Sequence, residues 1–355
     1  MTDSSLPDLE GRLAAALAQT PARIPVLVGP CGSGRTTALR RLAASLGAAS
    51  AQYVDLERIT STPERFLAAL TRQTPFRFAA APGPVGPADA QARALRYFAD
   101  ATTDGGEPAT FLLDELQELA TFDHFPGLHG VVTDTLAAFA ASRNRFVLAS
   151  KYTTRTLRAL DEASDRFLVV QMPPVSVGAV AADLLQAGLR SDGAQEAARV
   201  IVQLADGRAA YCAAFVRALA EPGLRVHDPV AALTALIAPA GEICARCRYS
   251  YEIRLHRARG YGALKGALDI LADEEPRNLT DIAIDMGRTP GSTKDYLGWL
   301  ENVDLVRVQR KRYTISDPLM RLWIRLYSSC DRPTEERIAD EVQRYTLLRL
   351  SAPSA

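Results

Sequence analysis

Ile24-Pro-Val-Leu-Val-Gly29-Pro-Cys-Gly-Ser-Gly34-Arg35-Thr36-Thr37 passes from an apolar run of strand type into a glycine-rich loop, and Ala38-Leu-Arg-Arg-Leu-Ala-Ala-Ser leaves that loop as a helix. The spacing Gly29-x4-Gly34-Arg35-Thr36 is that of a P-loop, with arginine where lysine is usual. Glycines let a backbone take positive φ and turn successive N–H groups inward, and the helix that follows adds its positive end. Gly29, Pro30, Cys31, Gly32, Ser33, Gly34, Arg35, Thr36 and Thr37 are therefore expected to cradle nucleotide phosphates, with the Thr36 hydroxyl on Mg²⁺. A guanidinium is planar, larger than an ammonium and prefers a forked contact, so Arg35 keeps the charge but alters the fit. Lysine is scarce throughout: only Lys151, Lys265, Lys294 and Lys311 occur among many arginines.

Working outward, Leu9–Gln19 reads as an amphipathic helix leading into the first strand, and Ala51-Gln-Tyr-Val-Asp-Leu-Glu reads as a second strand. Residues 80–89, rich in proline and glycine, read as a loop, and a helix is expected over Ala90–Thr102. Ala109-Thr-Phe-Leu-Leu-Asp114-Glu115 is an apolar run ending in paired acids, a Walker B pattern. A buried parallel strand would deliver Asp114 to Mg²⁺ at its carboxyl end, where open α/β sheets hold ligands. Glu115 would then orient and deprotonate the attacking water. Asn144-Arg-Phe-Val-Leu-Ala-Ser150-Lys151 is the next strand; Ser150 is the candidate polar sensor of the γ-phosphate, with Thr153 and Thr154 behind it. Arg166-Phe-Leu-Val-Val-Gln-Met completes the core. A strand interposed between the two motifs and an acid after Asp114 predict an α/β P-loop sheet of the ASCE type shared by AAA+ and STAND ATPases.

The chain has 355 residues, 48% hydrophobic and 23% charged, with no net formal charge, so any affinity for nucleic acid must come from a local patch. No apolar stretch is long enough to span a bilayer, the N-terminal residues lack the basic and apolar regions of a signal peptide, and five cysteines do not suggest a disulfide framework. A cytoplasmic protein with no membrane partner is expected. Cys244-Ala-Arg-Cys247 could supply half a zinc site, but no second ligand pair follows, and two helical cysteines on a packed face is the other reading.

The expected domains are a P-loop core over 1–173, a helical lid over 174–235, a linker over 236–260, a winged helix over 261–328 and a helical tail over 329–355. In the lid, Arg208 is the candidate second sensor reaching back to the nucleotide; Arg166 or Arg155 is the candidate finger contributed in trans. Tyr261–Ala272, Asn278–Gly287 and Ser292–Asn302 read as three helices, and Leu305-Val-Arg-Val-Gln-Arg-Lys-Arg-Tyr-Thr-Ile-Ser alternates like a hairpin with a basic turn. Such a winged helix–turn–helix binds double-stranded DNA or a protein partner. For DNA, Ser292, Thr293, Lys294 and Tyr296 would face the major groove, and Arg307, Arg310, Lys311 and Arg312 on the wing would meet phosphate. Acids nearby, such as Asp295 and Glu301, dilute that field.

The ending Arg312-Tyr-Thr-Ile-Ser-Asp317-Pro318, with Trp323 downstream, resembles the tyrosine-x-isoleucine-x-aspartate-proline and tryptophan motif of the archaeal-type P-loop ATPase family. The resemblance spans roughly residues 20–328 and implies ATP and Mg²⁺ as ligands, a helical lid and a C-terminal winged helix. Gly207-Arg-Ala-Ala-Tyr stands where the family has a glycine-x-proline signature, and the proline is missing. The chain thus reads as an ATP-binding, ATP-hydrolysing switch; its alternative is a non-hydrolysing, nucleotide-bound transcriptional regulator or assembly scaffold that forms a homo-oligomer.

Overall fold

A computed structural model describes residues 5–72, 74–79, 83, 85–161, 163–220, 228–258, 261–328 and 332–351. Part of the loop expected at 80–89, the start of the tail expected at 329–355 and Cys330 lie outside the described residues. Two compact units divide the chain: Leu6–Gly29 with Gly34–Met172, and Pro30–Ser33 with the stretch from Pro173 onward.

In the N-terminal unit, β1 (Ile24–Val28), β2 (Ala51–Asp55), β3 (Thr110–Asp114), β4 (Arg145–Ser150) and β5 (Phe167–Gln171) form one parallel sheet, ordered β2-β3-β4-β1-β5. β1, β3 and almost all of β4 are buried, which is why they read as continuous apolar runs instead of alternating ones. Successive side chains still part to opposite faces. Val26, Val28, Phe111, Leu113, Phe146 and Leu148 pack on one side with Phe66, Phe98 and Phe139. Leu27, Leu112, Val147 and Ala149 pack on the other against Leu9, Leu13, Leu39 and Leu42. Those leucines belong to the helices Ser5–Leu17 and Arg35–Leu46, so the helix leaving the glycine loop is bedded on the sheet.

Asn144, expected as strand, instead sits fully buried just before β4. Its side chain accepts from the Ala109 N–H and donates to the Phe98 and Ala101 carbonyls, tying the entry of β3 to the helix Pro87–Asp100. Parallel pairing then carries Val28 opposite Ser150 and Asp55 opposite Asp114, so the chemistry-bearing ends of four strands emerge along one edge.

The C-terminal unit is mainly helical. Val177–Gln186, Ser191–Leu204 and Ala209–Ala220 are followed by Pro229–Ile237 and then by Glu242–Arg257, a 16-residue helix where a linker over 236–260 was expected. Cys244, Cys247, Tyr251 and Leu255 recur on its buried side, so the cysteine pair lies on a packed face. Tyr261–Asp273, Leu279–Asp285 and Pro290–Asn302 follow, with a three-stranded antiparallel sheet of β6 (Arg277–Asn278), β7 (Val306–Gln309) and β8 (Arg312–Ile315) ordered β6-β8-β7. Asn278 and Thr289 cap the second and third of these helices through their side chains, and Pro290 opens the third. Pro318–Tyr327 and Glu335–Ser351 complete the unit. No single helix among the described residues is long and apolar enough to cross a membrane.

Candidate active site

Gly34 caps the helix Arg35–Leu46 at φ 95°, a left-handed conformation closed to most side chains, and Gly32 lies at φ 81°. The turn Pro30–Ser33, which contains Gly32, is closed by the Ser33 N–H donating to the Pro30 carbonyl. Thr36 is half-buried in the first turn of the helix and Thr37 is exposed beside it. Arg35 is buried. One terminal nitrogen donates to the Gly29 carbonyl and the other stands 3.3 Å from Glu115 Oε1. Arginine in the lysine position is thus paired with the carboxylate expected to act as base.

β3 ends at Asp114, and Glu115 follows at φ 61° before the 3₁₀ segment Leu116–His124. A positive φ at a non-glycine residue is costly and persists only where the surroundings enforce it. Here the carboxylate is fastened from two sides: Arg35 on Oε1, and the Lys151 N–H on Oε2 at 2.9 Å. Burial pushes the Glu115 carboxyl above its ordinary range, and the charges of Arg35 and Lys151 pull it only partly back. Asp114 is also buried; its Oδ2 accepts from the Tyr53 hydroxyl at 2.9 Å, whereas its Oδ1 has no hydrogen-bond partner among the described residues. A buried carboxylate oxygen without a hydrogen-bond partner and a threonine hydroxyl in the first turn of the helix are hard-oxygen donors of the kind that suits Mg²⁺, so Asp114 and Thr36 fit the ion expected there.

Ser150 is fully buried at the end of β4, between β1 and β3, and its Oγ accepts from the Tyr152 N–H. The next residue, Lys151, carries more of the geometry. Its ammonium lies 3.1 Å from Glu57, 3.4 Å from Glu118 and 4.0 Å from Glu115. Burial opposes its charge, but Glu115, Tyr152, Glu118 and Glu57 together outweigh that and raise its pKa. Tyr53 and Lys151 were not read from sequence. The signal for Lys151 was its rarity, one lysine of four, directly after the strand end. Tyr53 becomes visible only once β2 is known to pair with β3.

The remaining expected residues divide. Arg166 donates to the carbonyls of Ala22, Ala140 and Ser142, so it is held as a structural clamp within its own unit; Arg155 is exposed on the helix Thr153–Leu160. Arg208 is buried and ion-paired with Asp317 at 2.7 Å; it also donates to the carbonyls of Ser316 at 2.8 Å and Cys31 at 3.4 Å. Burial opposes the Arg208 charge, but Asp317, Tyr211, Asp206 and Cys31 together outweigh that and raise its pKa. Tyr211 donates to the same Asp317 oxygen at 2.8 Å.

In the C-terminal module Lys294 is exposed and Ser292 is half-buried, its hydroxyl donating to the Thr289 carbonyl. Tyr296 packs on Trp299. Thr293 is completely buried, on the packed side of its helix and not on the face offered to a groove. Arg307, Arg310, Lys311 and Arg312 are all exposed, with Arg310 and Lys311 both at positive φ in the turn.

This sheet order and loop define a P-loop α/β fold. The chain is similar to the Walker-type ATPase PABY2304 of Pyrococcus abyssi, with a TM-score of 0.62 at 15% identity, over 90% of this chain and 95% of that one. Two variants of RuvB from Thermotoga maritima match 87% of the chain, and 92% and 91% of their own, at 12% and 13% identity and a TM-score of 0.44. No family model matches, and no curated protein does.

Proposed function

We propose that the chain binds ATP with Mg²⁺ and hydrolyses it, and that the nucleotide state acts as a switch for its C-terminal module, a winged helix–turn–helix that contacts duplex DNA or a protein partner. The observation that carries the reading is the buried Asp114–Glu115 pair at the carboxyl end of β3, with Glu115 ion-paired to the first residue of the helix that leaves the glycine loop. The fold shared with a Walker-type ATPase agrees with it. N–H groups of the loop and the Arg35 guanidinium bind the phosphates. Thr36 and Asp114 hold Mg²⁺, which when bound neutralises charge on the phosphate oxygens. Glu115 accepts a proton from the water that attacks the γ-phosphorus; the bond to the bridging oxygen breaks, ADP leaves, and inorganic phosphate carries the new oxygen. Ser150, at the strand end between the two motifs, is suited to sense that phosphate. The exposed Arg307, Arg310, Lys311, Arg312 and Lys294 support the DNA version of the module's role.

One contact favours the second reading, a nucleotide held without turnover in a regulator or self-assembling scaffold: Arg35 is ion-paired with the base itself. Calorimetry of ATP binding with Mg²⁺ and with a chelator tests the site common to both. Binding should be tighter with Mg²⁺, and Thr36→Ala should narrow the difference; equal affinities in all three conditions would refute the proposed site.

A further inference from the structure

We infer that Lys151 is a positioning residue that keeps Glu115 in place so that Arg35 is available to nucleotide phosphate. The inference rests on the ATP-binding reading above. Glu115 has two cations and one buried carboxylate. If Arg35 turns to phosphate, Oε1 loses its partner, and a buried carboxylate left without any counter-charge would be strongly disfavoured. Lys151 prevents that isolation. Its main-chain N–H already holds Oε2 at 2.9 Å, and its ammonium, 4.0 Å away, keeps a positive charge beside the carboxylate.

Geometry also explains why the ammonium stays in place. Glu57 and Glu118, at 3.1 and 3.4 Å, bracket it from the short helix Leu56–Ile59 and the 3₁₀ segment, so its position does not depend on Glu115 alone. The usual P-loop arrangement assigns phosphate contact to a single lysine. Here the two tasks are divided: a forked arginine begins the helix, and one of the chain's four lysines stands behind the base. An arginine at the helix start can reach both the Gly29 carbonyl and Glu115, and without a second cation the carboxylate would compete with phosphate for it.

The test is a double-mutant cycle read by binding, using Mg²⁺ and adenylyl imidodiphosphate in calorimetry on the full chain. Lys151→Met leaves Arg35 as the sole counter-charge of Glu115 among the described residues, and affinity should fall on the order of tenfold. Adding Glu115→Gln removes the competitor, and the double variant should return to within about twofold of Glu115→Gln alone. Lys151→Arg, which keeps the charge, should bind as the unaltered chain does. Lys151→Gln, whose amide can still donate to Glu118, replaces the methionine variant if that one does not fold. Unchanged affinity in Lys151→Met, or a double variant as weak as the single one, overturns the inference while leaving ATP binding intact. Absence of binding by the unaltered chain overturns the ATP reading itself, and this inference with it.

Discussion

Asp317 serves two structures at once. One oxygen accepts the Leu319 and Met320 N–H groups and so caps the helix Pro318–Tyr327, and the other takes both the Arg208 guanidinium and the Tyr211 hydroxyl. Replacing one member of a buried pair leaves the other charged and unpaired, at a cost of about 3–5 kcal/mol. Asp317→Asn, which can still cap, should therefore lower stability by that amount, and Asp317→Ala by roughly 1 kcal/mol more for the lost cap, as read from urea midpoints. A loss under about 1 kcal/mol in the asparagine variant would show that the pair is not an anchor. Asp317 was legible as a motif residue, but its partner was not. A motif places residues along a chain, whereas Arg208 meets Asp317 across 109 positions of folded chain. The reverse held for Asp114 and Glu115, whose place at a buried strand end follows from the apolar run before them.

At the scale of elements, the hairpin β7–β8 turns through Arg310 and Lys311 with φ 50° and 63°. Two-residue hairpin turns of this hand favour Asn-Gly, because asparagine tolerates and glycine freely adopts the left-handed region. Two basic side chains held there therefore represent a stability penalty of roughly 1–3 kcal/mol each. Arg310→Asn with Lys311→Gly should raise the melting temperature while weakening duplex DNA binding and reducing the salt slope by about 2. A more stable variant with an unaltered slope would remove the turn as a phosphate contact. The hairpin and its basic tip were legible from alternation and charge. The burial of Thr293 was masked by its polar neighbours Ser292, Lys294 and Asp295, although Leu297 and Leu300 stand four and seven residues on, the spacing of one packed side. The helix Glu242–Arg257 escaped for a similar reason. Its arginines and glutamates mask a buried face of Cys244, Cys247, Tyr251 and Leu255, and even Arg254 is buried, donating to the Asp304 carbonyl.

Across the molecule, the strands of the core were legible because parallel strands buried on both faces are unbroken apolar runs bounded by turns. Their neighbours were not encoded so locally. The placement of β4 between β1 and β3, which brings Ser150 and Lys151 between the end of β1 and the acidic pair, followed only from the class of sheet expected. That placement makes Glu115 the hub of the site, touched by Arg35 on one side and Lys151 on the other. The decisive measurement is steady-state phosphate release from ATP by the unaltered chain beside Glu115→Gln, with nucleotide binding measured on both. Retained binding with turnover slowed about 10²–10⁴-fold in the glutamine variant is the expected result. Equal turnover in the two proteins would contradict the assignment of Glu115 as the base.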